Sequence, residues 1–191
     1  YKDVTDDTIT VKFKLKKTNR YVLAWTTTPW TLPSNVCLAV NPKIKYSVVR
    51  EQGTEYILAK DLVSKYFKEP EIVEEIFGSK LVGLEYEPLF PYFVGKLDKK
   101  AWTIVPEDYV STEEGTGVVH QAPAFGEADY DSCKKHNMPF VQPVALNGIF
   151  TEEVSDFKNL FVKDADPRII EYLDNKRLLF KQEKYLHSYP F

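Results

Sequence analysis

Apolar and polar residues alternate through residues 9–15: Ile9, Val11, Phe13 and Leu15 interleave with Thr10, Lys12 and Lys14. A period of two marks a half-buried strand, so this segment is predicted to be a strand with one wet, basic face. Lys16, Lys17 and Arg20 follow in a turn, and residues 21–25 read as a second, more buried strand. Residues 36–40, 46–50 and 55–59 are further strands, the last two flanking Gln52-Gly53-Thr54 as a hairpin. Residues 102–105 and 117–120 add two short strands.

Helical spacing is rarer. Ala59, Leu62, Val63, Tyr66 and Phe67 share one face of a short helix that ends before Pro70. Residues 126–135 form a predicted helix with acidic residues in its first turn, and Asp166-Pro167 is an N-cap and N1 pair opening a helix over Ile169, Ile170 and Leu173. Residues 71–77 fit either period. Twelve prolines and eight glycines are spread along the chain, without internal repeats, as expected of many short elements joined by turns. The predicted architecture is a single β-rich α+β domain over residues 1–191, a barrel with peripheral helices.

Composition narrows the function classes. A hydrophobic fraction of 43%, with 14% aromatic, supports a substantial core rather than a disordered chain. Twenty-five basic residues against 28 acidic give a formal charge of −3. That balance argues against tight, sequence-blind nucleic-acid binding, but not against an RNA end delivered by a larger partner. Cys37 and Cys133 form no CxxC pair, and His120, His136 and His187 lack metal-ligand spacing. Two thiols in a reducing compartment are the expectation, with no metal site. The apolar runs are too short to span a membrane, and no signal peptide opens the chain, so a soluble cytoplasmic protein is expected.

Two segments carry chemistry. In Trp25-Thr26-Thr27-Thr28-Pro29-Trp30-Thr31-Leu32-Pro33-Ser34-Asn35, three threonines leave a strand and meet a proline that biases Thr28 towards extended geometry. Their hydroxyls donate and accept, which suits a ribose, a carbonyl or a water. The competing reading is a strand end where β-branched residues are simply favoured. In the second segment, residues 115–130, Gly115 and Gly117 lead into a short apolar strand ending on His120. Pro123 and Gly126 then turn the chain into a helix whose first turn holds Asp129. Each residue alone has a structural explanation, imidazole satisfaction for one and helix-dipole compensation for the other. Together they suggest a shared pocket.

With both segments in view, the chain resembles the editing domain inserted in isoleucyl-tRNA synthetases, whose relatives occur in the valyl and leucyl enzymes. The Trp25 to Pro33 string is similar to the isoleucyl version, since an arginine follows the threonines in the other two. Gly115-Thr116-Gly117-Val118-Val119-His120 with Ala122-Pro123 and Gly126-x-x-Asp129-Tyr130 is similar to the second family motif. Gly78-Ser79-x-Leu81-x-Gly83-x-x-Tyr86-x-Pro88 and the His187-x-Tyr189-Pro190 ending fit as well. Phe125 stands where many bacterial members carry histidine, which points to the eukaryotic cytoplasmic branch. Tyr1 in place of an initiator methionine, and the aromatic end after Pro190, are read as the cut ends of a piece of a larger synthetase.

The resemblance implies a hydrolase that removes wrongly attached valine from isoleucine tRNA, acting on a valyl ester or valyl-adenylate, without metal or cofactor. Its partners would be the 3′ end of tRNA and the remainder of the synthetase. By resemblance, Asp129 holds the α-ammonium of the amino acid. Thr26, Thr27 and Thr28 grip the terminal adenosine and position water. His120, with Gly117 and Ala122 beside it, borders the side-chain pocket, Trp25 forms an apolar wall, and Asn35 assists. Two rivals remain. One is a Ser111–His120–Asp129 relay, weakened by the absence of a nucleophile elbow. The other is a non-catalytic module that positions the tRNA end through Lys12, Lys14, Lys16, Lys17 and Arg20, with Lys96, Lys99 and Lys100.

Overall fold

The computed structural model describes residues 2–189, and side chains over residues 5–184. The motif at His187, Tyr189 and Pro190 lies outside the described side chains.

Among the described residues, nine strands and three α-helices build an α+β fold. The strands are β1 (Lys2–Lys14), β2 (Arg20–Thr26), β3 (Cys37–Val40), β4 (Lys45–Glu51), β5 (Thr54–Ala59), β6 (Glu71–Phe77), β7 (Thr103–Pro106), β8 (Val118–Gln121) and β9 (Leu179–Tyr189). The helices are α1 (Val63–Tyr66), α2 (Glu127–Lys135) and α3 (Val162–Asn175). Six strands form one sheet in the order β6-β4-β5-β2-β1-β9, and three form a second in the order β7-β3-β8. Both sheets are open, so the expected barrel is not closed. The edge strand β6 explains part of this: Glu71, Glu74 and Glu75 are exposed along it, and charged edges resist further pairing.

The alternation of residues 9–15 does give a strand, but its basic face is less wet than expected. Thr10 is buried, and the Lys12 ammonium lies over the Tyr21 and Tyr56 rings. Ile9, Val11 and Phe13 are fully buried against β2, with Phe13 edge-on to Tyr86 at 5.2 Å. Residues 71–77 are a strand whose period is broken by a register shift opposite Val48 and Val49. A bulge of this kind turns side chains to the other face, which is why the period of this segment is ambiguous in the sequence.

The helix expected to open at Asp166-Pro167 begins earlier, at Val162. Val162, Ala165, Ile169, Ile170 and Leu173 are its buried stripe, and that stripe outweighs the one backbone bond Pro167 forfeits. Asp166 does not cap its own helix. Burial pushes its carboxyl up to about 6 instead, with the nearby Trp30 backbone N–H acting in the lowering direction.

Candidate active site

The threonine strip lies where β2 ends. Thr26 is the last β2 residue, paired with Ile9, and a 3-10 turn over Pro29–Ser34 follows. Pro29 starts this turn at a position that needs no backbone N–H. The turn folds Thr31 back so that its hydroxyl donates to the Thr28 carbonyl at 2.9 Å. The Thr28 amide donates to Thr26 Oγ1 at 3.1 Å, and the Thr28 hydroxyl lies 3.4 Å from that of Thr26 and 3.3 Å from that of Thr31. Thr27 differs: its hydroxyl has no hydrogen-bond partner among the described residues.

The second segment crosses between the sheets to reach the same place. Gly117 takes a left-handed φ of 81°, and a Cβ there would sit 2.4 Å from that of Ala59. Only glycine allows this approach. Beside it, Thr116 accepts the Ala59 amide on its carbonyl and donates its hydroxyl to Leu23. β8 then pairs antiparallel with β3, setting His120 opposite Leu38.

Both His120 ring nitrogens are occupied. Asn35 Nδ2 also donates to the Cys37 carbonyl, and its Oδ1 accepts the Tyr86 hydroxyl, which fixes the amide orientation. His120 Nδ1 therefore accepts from Asn35 at 2.8 Å, leaving the proton on Nε2 to donate to Thr31 Oγ1 at 2.9 Å. Burial pushes the imidazole pKa down to about 4. His120 is a neutral, pinned wall.

Asp129 occupies the first turn of α2, and one oxygen accepts the Ala122 amide at 2.9 Å. Burial raises its pKa, against the lowering effect of that N–H. No cation faces it among the described residues, so a partly buried carboxylate is left with one peptide donor and spare acceptor capacity.

Trp25, Thr26, Thr27, Thr28, Gly117, His120, Ala122 and Asp129 all border one cavity of ≈ 390 Å³. Asn35 does not. It is buried behind His120 and acts on the cavity only through that ring. Thr31, Tyr109 and Glu114 also line the space and escaped sequence reasoning. The spacing of Thr31, three residues beyond Thr28 in a proline-started turn, carried a usable signal; Tyr109 and Glu114 in their charged loop carried none.

The serine relay does not assemble. Ser111 borders the cavity, but its hydroxyl accepts the Glu113 amide, while the His120 nitrogens are committed to Thr31 and Asn35. Much of the proposed basic surface is neutralised: Lys14 pairs with Glu87, Lys16 and Lys100 with Glu85, and Arg20 with Glu55 and Glu74. Among the described residues no three acidic, histidine or cysteine side chains gather as a metal site, and no helix is long and apolar enough to cross a membrane.

Over 191 residues the chain is 49% identical to part of an isoleucine–tRNA ligase from Clostridium kluyveri, and over 198 aligned positions 51% identical to part of the one from Bdellovibrio bacteriovorus. This chain is similar to a segment of isoleucine–tRNA ligase. The match covers all of it but only 18% and 19% of those relatives. A third relative, from Chlamydia trachomatis serovar D, is 46% identical, again over all of this chain and 19% of its own length. No family model matches the chain.

Solved structures show the fold. GlLeuRS-CP1 superposes with a TM-score of 0.71 at 16% identity, covering 97% of this chain and all of that one. The editing domain of the P. falciparum cytosolic leucyl-tRNA synthetase gives 0.69 at 11% identity, covering 96% and 100%. The fold is that of a synthetase editing domain. The relatives in sequence are bacterial, so the eukaryotic cytoplasmic branch inferred from Phe125 is not supported. Phe125 packs edge-on to Trp30 at 4.9 Å, a local packing role that carries no lineage.

Proposed function

We propose that this chain is one editing domain within an isoleucine–tRNA ligase, and that its cavity hydrolyses the ester joining a misattached valine to the 3′ end of isoleucine tRNA. The observation that carries the reading is the unmatched Asp129 carboxylate on the cavity wall beside the unpaired Thr27 hydroxyl. A partly buried carboxylate without a cation asks for one, and the α-ammonium of an aminoacyl ester supplies it.

Asp129 then orients the amino acid so that its side chain meets the pinned His120 face. One missing methylene is worth only about 1–3 kcal/mol in a synthetic site, so a second site that excludes the larger side chain is needed for accuracy. A wall that cannot swing away performs that exclusion better than a mobile one. Thr27, with a free donor and acceptor, holds the attacking water or the terminal ribose. Thr26 and Thr28, already engaged with each other and with Thr31, set the shape of the strip. His120 is neutral and doubly bonded, so it is not the general base. An ester needs no protein nucleophile: positioned water, with a ribose hydroxyl of the substrate relaying the proton, suffices. The reading requires no metal or cofactor.

Asp129→Ala is expected to lower deacylation of valyl-tRNA for isoleucine by at least about 10²-fold, with an unchanged circular dichroism spectrum. Near-normal turnover in that variant would remove the ammonium-binding role.

A further inference from the structure

The mechanism leaves one pair of nucleophilic groups unused. Cys37 on β3 and Cys133 on α2 lie 96 residues apart in sequence, yet their sulfurs are 3.8 Å apart, and both thiols are free and buried. A disulfide needs about 2.05 Å, so closing the pair takes less than two ångströms of movement. Cys133 also borders a surface cavity of ≈ 350 Å³ with Met138 and Lys134 on its walls. Cys37 has no such opening. It donates to Gln121 Oε1 at 3.2 Å, and the amide nitrogen of Gln121 donates to the Tyr109 hydroxyl on the wall of the active-site cavity. Cys133 sits one helical turn after Asp129 on α2. The sulfur pair therefore joins α2, which carries the cavity's acid, to β3, the strand paired with the His120 strand β8.

We propose that Cys37 and Cys133 are an oxidation site, converted by peroxide into a disulfide that pins α2 to β3 and misplaces Asp129. Peroxide entering the cavity meets Cys133 first: its thiol gains one oxygen, forming a sulfenic acid, and the peroxide leaves as water. The Cys37 sulfur then attacks the Cys133 sulfur, the S–O bond breaks, and the departing hydroxide takes the Cys37 proton as a second water. The two sulfurs lose two electrons in total, and the peroxide gains them. Contact with Cys133 and burial hold the Cys37 thiol protonated, which suits the resolving partner rather than the first target. A disulfide of this kind in a reducing compartment is transient and regulatory, and small displacements at a positioned site cost up to about 10²-fold in rate.

The modification itself does not depend on the proposed activity; its effect on rate does. The folded chain is treated with hydrogen peroxide, then examined by intact mass, melting temperature and hydrolysis of valyl-tRNA. The expected result is a loss of two hydrogens, a higher melting temperature, and at least about tenfold slower hydrolysis, all reversed by dithiothreitol. Cys37→Ser and Cys133→Ser are expected to hydrolyse normally before treatment and to form no intramolecular bond after it. Peroxide-treated chain that keeps both thiols, or that carries the disulfide with an unchanged rate, overturns the proposal. A reduced chain that hydrolyses no ester overturns instead the functional reading, while the mass and melting measurements still decide the disulfide.

Discussion

At the residue scale, one histidine on the cavity wall is held neutral. Burial places the His120 pKa near 4 rather than 6.5, and the pairing of both nitrogens leaves no room for a second ring proton without breaking the Asn35 contact. An NMR titration is expected to show His120 neutral down to about pH 4, with Nε2 protonated. The sign for stability follows from linkage. A depressed histidine favours the folded state above pH 6.5 and loses that contribution as pH falls towards 4. Asp166, pushed up to about 6 by burial, acts oppositely, because the folded state takes its proton first. The two effects overlap in any bulk melting curve, so the residue-resolved titration is the measurement that checks the prediction. Asn35→Ala removes a side chain that serves His120, Cys37 and Tyr86 together. It is expected to cost about 1–3 kcal/mol in denaturant unfolding and to relax discrimination against isoleucyl ester by freeing the ring.

At the element scale, the site depends on the crossing from the large sheet to the small one at Gly117. A side chain there meets a left-handed φ and Ala59 at once. Gly117→Ala is expected to cost about 2–4 kcal/mol from strain and overpacking combined, checked by urea denaturation, with hydrolysis falling because the His120 strand is displaced. Gly117 was legible in the sequence as a glycine ahead of a strand, as were β2, β3, β5, the α2 first turn and the grouping of threonines, His120 and Asp129. What was not legible depended on distant partners. β9 carries Lys181, Glu183 and Lys184 and gains its strand character from pairing with β1. Acidic residues at positions 3, 6 and 7 hid the first half of β1 in the same way. Asp166-Pro167 has the local chemistry of a helix start, but the buried stripe that begins at Val162 starts the helix earlier. Asn35 reads as a site residue from its neighbourhood, and only the fold puts it behind the ring.

At the scale of the whole molecule, the question is how much of an RNA substrate this chain can use by itself. Its formal charge is −3, and Lys14, Lys16, Lys100, Arg20 and Arg50 are each engaged by a glutamate. Tight RNA binding needs cations free to replace counterions on phosphates, and cations already paired replace few. The chain also corresponds to only 18–19% of the length of the relatives it matches. On the proposed function, recognition by this chain is therefore concentrated in its cavity, on the aminoacyl group and the terminal nucleoside. The expected consequence is that valyl-adenosine is hydrolysed with a kcat/KM within about tenfold of valyl-tRNA, a difference under about 1.4 kcal/mol. Isoleucyl-adenosine is expected to be the poorer ester of the pair. Parallel kinetics on the three esters, at low and moderate salt, check this. A preference for valyl-tRNA beyond about 10²-fold, collapsing with salt, would place an RNA-binding face on this chain and return weight to its lysines. Equal rates for the valyl and isoleucyl esters would instead strip His120 of its excluding role.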